Sequence, residues 1–394
     1  MGSEMCIRDS STNDNDIKLS LKLVKEEKKK VLLKFSVSCL ETNKEKIKKL
    51  LLKAPSDVKG AIELSEKWLL SNNIEIKSGS NKERKMLSKA INTLISNECI
   101  APGKLAGRVS AFPQRGKYAT LFLWDTCFIN LGLELINPDL AKDAILLLTG
   151  NLREDGKMYQ FICSTWARPK ESQSPLVGWA AWRLYKLIED TEFIVKVLPS
   201  LEKNIDWWFK YRDPTCSGIV ECYNPLETGW DDTPRLDKGP VKPADINTYL
   251  WLQMKACGKM AEVLGLYEKA EKWNDELKKF GKRIKETLYC EEDNLFYDVL
   301  VETKEYFKIK TPACFIPLLA DIGLPREKAK RMIKEYLLNE EYFFGKVPFP
   351  SVSYRENCYQ PDQWWRGPLW MPIGYLMLEI LKKYGFDKQV KNNC

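Results

Sequence analysis

Residues 244–289 read ADINTYLWLQMKACGKMAEVLGLYEKAEKWNDELKKFGKRIKETLY. Leu250, Met254, Cys257 and Met260 recur at helical spacing, which predicts a helix over 244–264. Gly265 breaks the pattern and a second helix is predicted over 267–289. Two helices joined by so few residues form an antiparallel pair. Moving outward, the same periodicity predicts helices over 83–98, 120–136, 138–150, 174–190, 193–211, 312–321, 325–338 and 367–384, punctuated by Asn137-Pro138, Pro199, Pro325 and Gly385.

The connections decide how the pairs are arranged. Those near residues 137, 191, 266 and 323 are a few residues long, whereas 99–119, 151–173, 212–243 and 339–366 run to about 20–30 residues. Long connections in a compact domain are usually functional. Here they hold most of the Trp, Pro and paired acidic residues. Short turns at one end and long aromatic loops at the other predict a mainly α fold, an (α/α)6 toroid with a site at the loop end. A repeat solenoid would show a fixed period, and none is visible.

Composition narrows the chemistry. The 394 residues include 62 Lys+Arg, 54 Asp+Glu and no histidine. Ser-His-Asp and Cys-His catalysis and His-ligated zinc are therefore excluded, and acid–base work falls to Asp, Glu, Lys, Tyr or Cys. The 12 cysteines form no C-x-x-C pair, and free, mostly buried thiols in a cytoplasmic setting are expected. The sequence shows no signal-peptide pattern and no 18-residue apolar run, and no cofactor or metal is expected. Of the net charge of +8, residues 11–60 supply 13 Lys against 7 acids. That local excess reads as a solvated face, so neither nucleic acid nor membrane is an expected partner.

Residues 1–10 (MGSEMCIRDS) resemble a cloning scar. Residues 17–39 read as two strands around a Lys/Glu turn. Segment 11–42 is accordingly taken as a β-hairpin, the possible end of a β-domain, segment 43–82 as a helical connector, and 83–394 as the helical domain.

Four loop clusters carry candidate chemistry. Tyr118, Trp124 and Asp125 stand at a helix start, where Asp125 or Thr126 has the simpler reading of an N-cap. Gln173 opens another helix, with Trp179 and Trp182 behind it as core. Glu227-Thr-Gly-Trp230-Asp231-Asp232-Thr-Pro-Arg235 sets three carboxylates beside an indole, which raises a carboxyl pKa as a general acid requires. Trp364-Trp365-Arg366-Gly367-Pro368-Leu369-Trp370 suits a sugar ring better than a core, since aromatic faces pack on C–H surfaces. Together these residues point to a small carbohydrate.

ETGWDDTPR followed much later by WWRGPLW resembles the inverting six-hairpin glycosidases of the trehalase and processing α-glucosidase clan, and above all glycoside hydrolase family 63 with its mannosylglycerate hydrolase-like branch. The likeness spans about residues 83–394. It implies an (α/α)6 barrel and an inverting hydrolase of small α-glucosides or α-mannosides. It also implies Asp231 as general acid and Tyr118, Trp124, Asp125, Gln173, Trp230, Arg235, Trp365, Arg366 and Trp370 as substrate-binding residues. Within that set Arg366 braces its own loop, and for Glu227 and Arg235 a loop-organising role is favoured.

Two departures stand out. Leu226 takes the place where mannosylglycerate hydrolase relatives carry Trp. The glutamate base of the family lies some tens of residues beyond the tryptophan-rich motif, and Glu379 reads as a solvated helix position. The base is therefore expected to be missing from this chain and the barrel to be C-terminally truncated. Two alternatives stay open: a non-catalytic sugar-binding or scaffold protein, and prenyl or terpene chemistry with magnesium on Asp231-Asp232.

Overall fold

The computed structural model describes residues 20–27, 30–36, 80–100, 109–113, 118, 120–163, 167–168 and 171–392. Of the expected connector over 43–82, residues 43–79 lie outside them, as does the ten-residue leader, and Asn81 already opens a helix. The chain divides into two units, 1–87 and 88–394. In the first, β1 (Ser20–Glu27) and β2 (Lys30–Ser36) pair antiparallel, from Ser20 opposite Ser36 to Glu27 opposite Lys30.

From α1 (Asn81–Ser96) onward the chain is mainly helical. A two-stranded ribbon, β3 (Glu98–Ile100) with β4 (Val109–Ala111), leads to β5 (Leu121–Phe122) and the first helix pair, α2 (Leu123–Ile136) and α3 (Pro138–Gly150). Strand β6 (Phe161–Ile162) pairs with β5 before α4 (Val177–Ile188) and α5 (Thr191–Arg212). A single turn, α6 (Pro225–Thr228), precedes β7 (Val241–Lys242), α7 (Ala244–Val263) and α8 (Tyr267–Leu288). The hairpin β8 (Tyr289–Cys290) and β9 (Leu295–Phe296) follows, then β10 (Asp298–Leu300), which pairs with β7 and β11 (Tyr306–Phe307). A 3-10 helix (Pro312–Leu319), α9 (Arg326–Met332), α10 (Met371–Lys383) and α11 (Asp387–Asn392) complete the order.

The pair at 244–288 shows why this order winds into a ring. Helix α7 is buried nearly all round, Tyr249, Leu250, Trp251 and Met254 included, whereas α8 buries only Ala270, Phe280, Gly281, Ile284 and Leu288. A helix apolar on all sides belongs inside and an amphipathic one outside. Polar residues within α7 are satisfied locally: Gln253 accepts from Gly178 N–H at 3.2 Å and donates to Asn204 at 3.0 Å. Successive inner helices touch in turn, α2 on α4, α4 on α7, α7 on the 3-10 helix and that helix on α10. Five such pairs are present among the described residues, in the alternation of an (α/α)6 toroid.

Most predicted helix ends shift by one to four residues. Asn137 caps α3 by accepting from Leu140 N–H, and Asp190 caps α5 by accepting from Phe193 N–H. The larger difference is at 312–321, which forms a 3-10 helix instead of an α-helix. Pro317 lacks the N–H that an α-turn needs there. The segment predicted over 325–338 ends in a π-turn, Ile333–Leu337. Cys127, Cys222, Cys257, Cys290 and Cys314 are buried and free. Among the described residues no helix is long and apolar enough to cross a membrane.

Candidate active site

Helix α2 starts where β5 ends. Leu123 N–H is held by Gln160 C=O at 2.9 Å and Trp124 N–H by Gln173 Oε1 at 3.3 Å. The N-cap position falls on Phe122, whose side chain makes no cap, so neither Asp125 nor Thr126 is the cap that the simpler reading offered. Asp125 stands in the first helical turn instead. It is free to face a cavity of about 330 Å³, lined by Pro113, Tyr118, Phe122, Trp124, Asp125, Gln160, Gln173, Gly229, Asp231, Trp364, Trp365 and Trp370. The long loops thus bring seven of the ten expected residues to one place.

Asp231 arrives from the turn after α6. Ser174 Oγ donates to Thr228 O at 3.0 Å, tying this turn to the segment that bears Gln173. Gly229 ends α6 with φ +81°, and a Cβ there would lie 2.5 Å from the Trp124 indole, so the turn demands glycine twice over. Burial and the neighbouring Asp232 charge raise the Asp231 pKa, with Arg168 opposing. Burial and the Asp231 charge push Asp125 up to about 6. Two carboxyls with raised pKa values therefore line one cavity.

The wall facing them is a column of indoles. Trp230 stacks on Trp365 with centroids 5.0 Å apart, and Trp365 stacks on Trp370 at 4.3 Å. Trp124 tilts against Trp365 at 5.8 Å. Trp370 Nε1–H donates to Trp364 O at 2.7 Å. The two loops are stitched together: Asp232 accepts from Trp365 N–H at 2.7 Å, and Arg366 grips Asp237 through two bonds of 2.8 and 2.7 Å.

Three expected residues do not line the cavity. Trp230 is fully buried behind Trp365, so it supports the wall from the rear. Arg235 is 1% exposed and chelates Asp245 (2.7 and 2.6 Å) and Asp298 (2.7 and 3.0 Å). Burial opposes its charge, but the two carboxylates outweigh that and its pKa rises well above the ordinary value. With four of its five N–H donors taken and almost no exposed surface, this guanidinium is out of reach of a sugar in the cavity. Arg366 lines a separate cavity of about 190 Å³ with Asp232 and Asp237. Glu227 is buried and bonded to Arg212, an organising position.

Asp231 lines the larger cavity, whereas Asp232 is engaged by the Trp365 N–H and lines the smaller one, an arrangement that gives no support to a shared magnesium site. The one group among the described residues able to surround an ion is Cys290, Glu292 and Asp293, whose two acids already hold Lys308. Glu379 lies on α10, partly exposed, with Arg183 at 4.0 Å, and is absent from the cavity lining. Trp179 and Trp182 are half-buried and packed on the core as expected. Gln160 and Pro113 carried no sequence signal, for they stand outside the four clusters, and Phe122 stood within the first cluster without being singled out.

The sequence model of the mannosylglycerate hydrolase MGH1-like glycoside hydrolase domain matches residues 118–393, a span that contains all four clusters. A mannosylglycerate hydrolase of Selaginella moellendorffii is 23% identical over 359 residues, covering 70% of this chain and 72% of its own length. Among solved structures, a family 63 mannosylglycerate hydrolase from Thermus thermophilus, in complex with Tris, aligns with TM-score 0.67 at 21% identity. That alignment covers 77% of this chain and 89% of the other. Neutral trehalase from Saccharomyces cerevisiae aligns with TM-score 0.61 at 17% identity over 75% and 70%.

Proposed function

The chain belongs to the mannosylglycerate hydrolase MGH1-like glycoside hydrolase family, and on that premise we propose that it cleaves a small α-glucoside or α-mannoside with inversion, Asp231 acting as the acid. Mannosylglycerate, glucosylglycerate, trehalose and glucose-capped oligosaccharides are the candidate substrates. The observation that carries this reading is the raised carboxyl of Asp231 opening on an indole-walled cavity of about 330 Å³. That volume suits one sugar ring with a small leaving group.

A carboxyl that keeps its proton can deliver it to the glycosidic oxygen as the C–O bond breaks. Asp125, in the first turn of α2, takes ring hydroxyls. Trp370, the outermost ring of the Trp230–Trp365–Trp370 stack, offers its outer face to the ring, and Tyr118 and Trp124 complete the lining. Inversion also needs a carboxylate about 6.5–9.5 Å from the acid to activate water. Asp125 and Asp231 are the two carboxylates of the cavity lining. With both assigned, the reading gives the base to neither, nor to Glu379, which pairs with Arg183.

Asp231→Asn is the test. Release of glucose or mannose from the candidate glycosides is expected to fall about 10²–10⁴-fold, while calorimetric binding of the sugar stays close to the parent value. A variant that hydrolyses as fast as the parent would sink the assignment. Tight sugar binding by a parent chain that releases no product would favour the non-catalytic alternative.

A further inference from the structure

One polar group in the cavity has no part in the reading above. Gln160 lines the cavity, yet it is only 3% exposed and its Oε1 is buried without a hydrogen-bond partner. Its main chain is fully committed. The C=O accepts from Leu123 N–H at 2.9 Å, and the N–H donates to Glu171 O at 3.3 Å. Those two bonds fix the residue between the start of α2, which bears Trp124 and Asp125, and the segment that leads to Gln173. The side chain is therefore held at the cavity by its backbone and not by its own amide. Buried polar atoms are nearly always paired, and an unpaired one calls for an explanation. A buried, unpaired acceptor on a residue that lines a cavity is explained by a ligand that donates to it.

Gln173 makes the contrast. Its Oε1 already accepts from the Trp124 N–H, which leaves one lone pair and the amide N–H donors for a ligand. We propose that Gln160 is a specificity-determining residue whose Oε1 accepts a hydrogen bond from one hydroxyl of the bound glycosyl unit. Gln160 then requires a donor on the sugar, whereas the Gln173 oxygen already has a partner in the Trp124 N–H. A sugar that lacks the hydroxyl facing Gln160 leaves that oxygen buried and unpaired, and is discriminated against for that reason. This inference rests on the carbohydrate reading of the same cavity.

The test measures calorimetric binding of glucose, mannose and their monodeoxy derivatives to the full chain and to Gln160→Leu and Gln160→Met. Each variant is expected to bind the parent sugar about tenfold or more weakly. For one monodeoxy sugar the parent and variant affinities are expected to coincide, because the partner hydroxyl is already gone. Equal losses across the whole deoxy series, or no loss at all, would overturn the role of Gln160 while leaving sugar binding intact. If neither sugar binds the parent chain, the carbohydrate reading itself fails. Should the Leu variant lose its cooperative melt, the Met variant, closer to glutamine in shape, carries the comparison.

Discussion

Asp231 and Arg235 lie four residues apart in one loop, and their surroundings differ completely. Around Arg235 every charge has a partner. The guanidinium spans Asp245 and Asp298, and Asp298 also accepts from Ala244 N–H at 2.8 Å, at the start of α7. A helix N-terminus favours that negative charge. Around Asp231 and Asp125 there are indoles and a cavity, while Arg168, the cation that tempers Asp231, is itself bonded to Glu171. One end of the loop is electrostatically complete and fixes position. The other is left incomplete, and its carboxyls have raised pKa values.

Removing the completeness has the largest expected effect. Arg235→Met strands two buried carboxylates, and breaking a buried pair in this way costs about 3–5 kcal/mol. A denaturant midpoint at neutral pH checks it, and a fall much below that range would mean that water reaches the triad. The opposite change at the cavity is expected to stabilise. The pKa of Asp125, about 6 when folded against 3.8 unfolded, means that stability falls as pH rises from about 4 to about 6 and stays reduced above. Asp125→Asn removes that penalty, an upper bound of about 3 kcal/mol at pH 7 at about 1.4 kcal/mol per unit. Melting of parent and variant is expected to diverge above pH 4 and to coincide below it. The smallest effect is a shift of the pH–rate profile. Arg168→Gln removes the cation that opposes protonation of Asp231, so the alkaline limb is expected to move to higher pH by a fraction of a unit. A limb moving to lower pH would mean that some other group sets it.

The comparison also explains what could be read from the linear chain. The helix pairs were legible because their periodicity and punctuation are local, as at Asn137-Pro138 and Gly265. The cavity was legible in Trp124-Asp125, Gln173, Asp231 and the tryptophan-rich loop, where unusual residue types stand together. Arg235 and Trp230 share that loop, yet they face inward. Arg235 finds its partners 10 and 63 residues away, and no local signal tells a guanidinium that binds a sugar from one that binds two distant aspartates. Gln160 was missed for the opposite reason, since an ordinary glutamine becomes notable only when its oxygen proves unpaired. The 3-10 turn at Pro312–Leu319 was readable in principle from Pro317, but its apolar run suited either helix.

The stitching of the two loops reaches beyond the wall itself. Asp232 to Trp365 and Arg366 to Asp237 join segments about 130 residues apart in sequence into one piece. A Cβ at Gly367 would lie 2.1 Å from Gln360 O, which shows how closely that piece is folded on itself. The conformational entropy of setting this platform is lost when the chain folds, before any sugar arrives. On the proposed reading, ligand binding has no loop to order on that side, and contacts with the indoles would add to affinity with little offsetting cost.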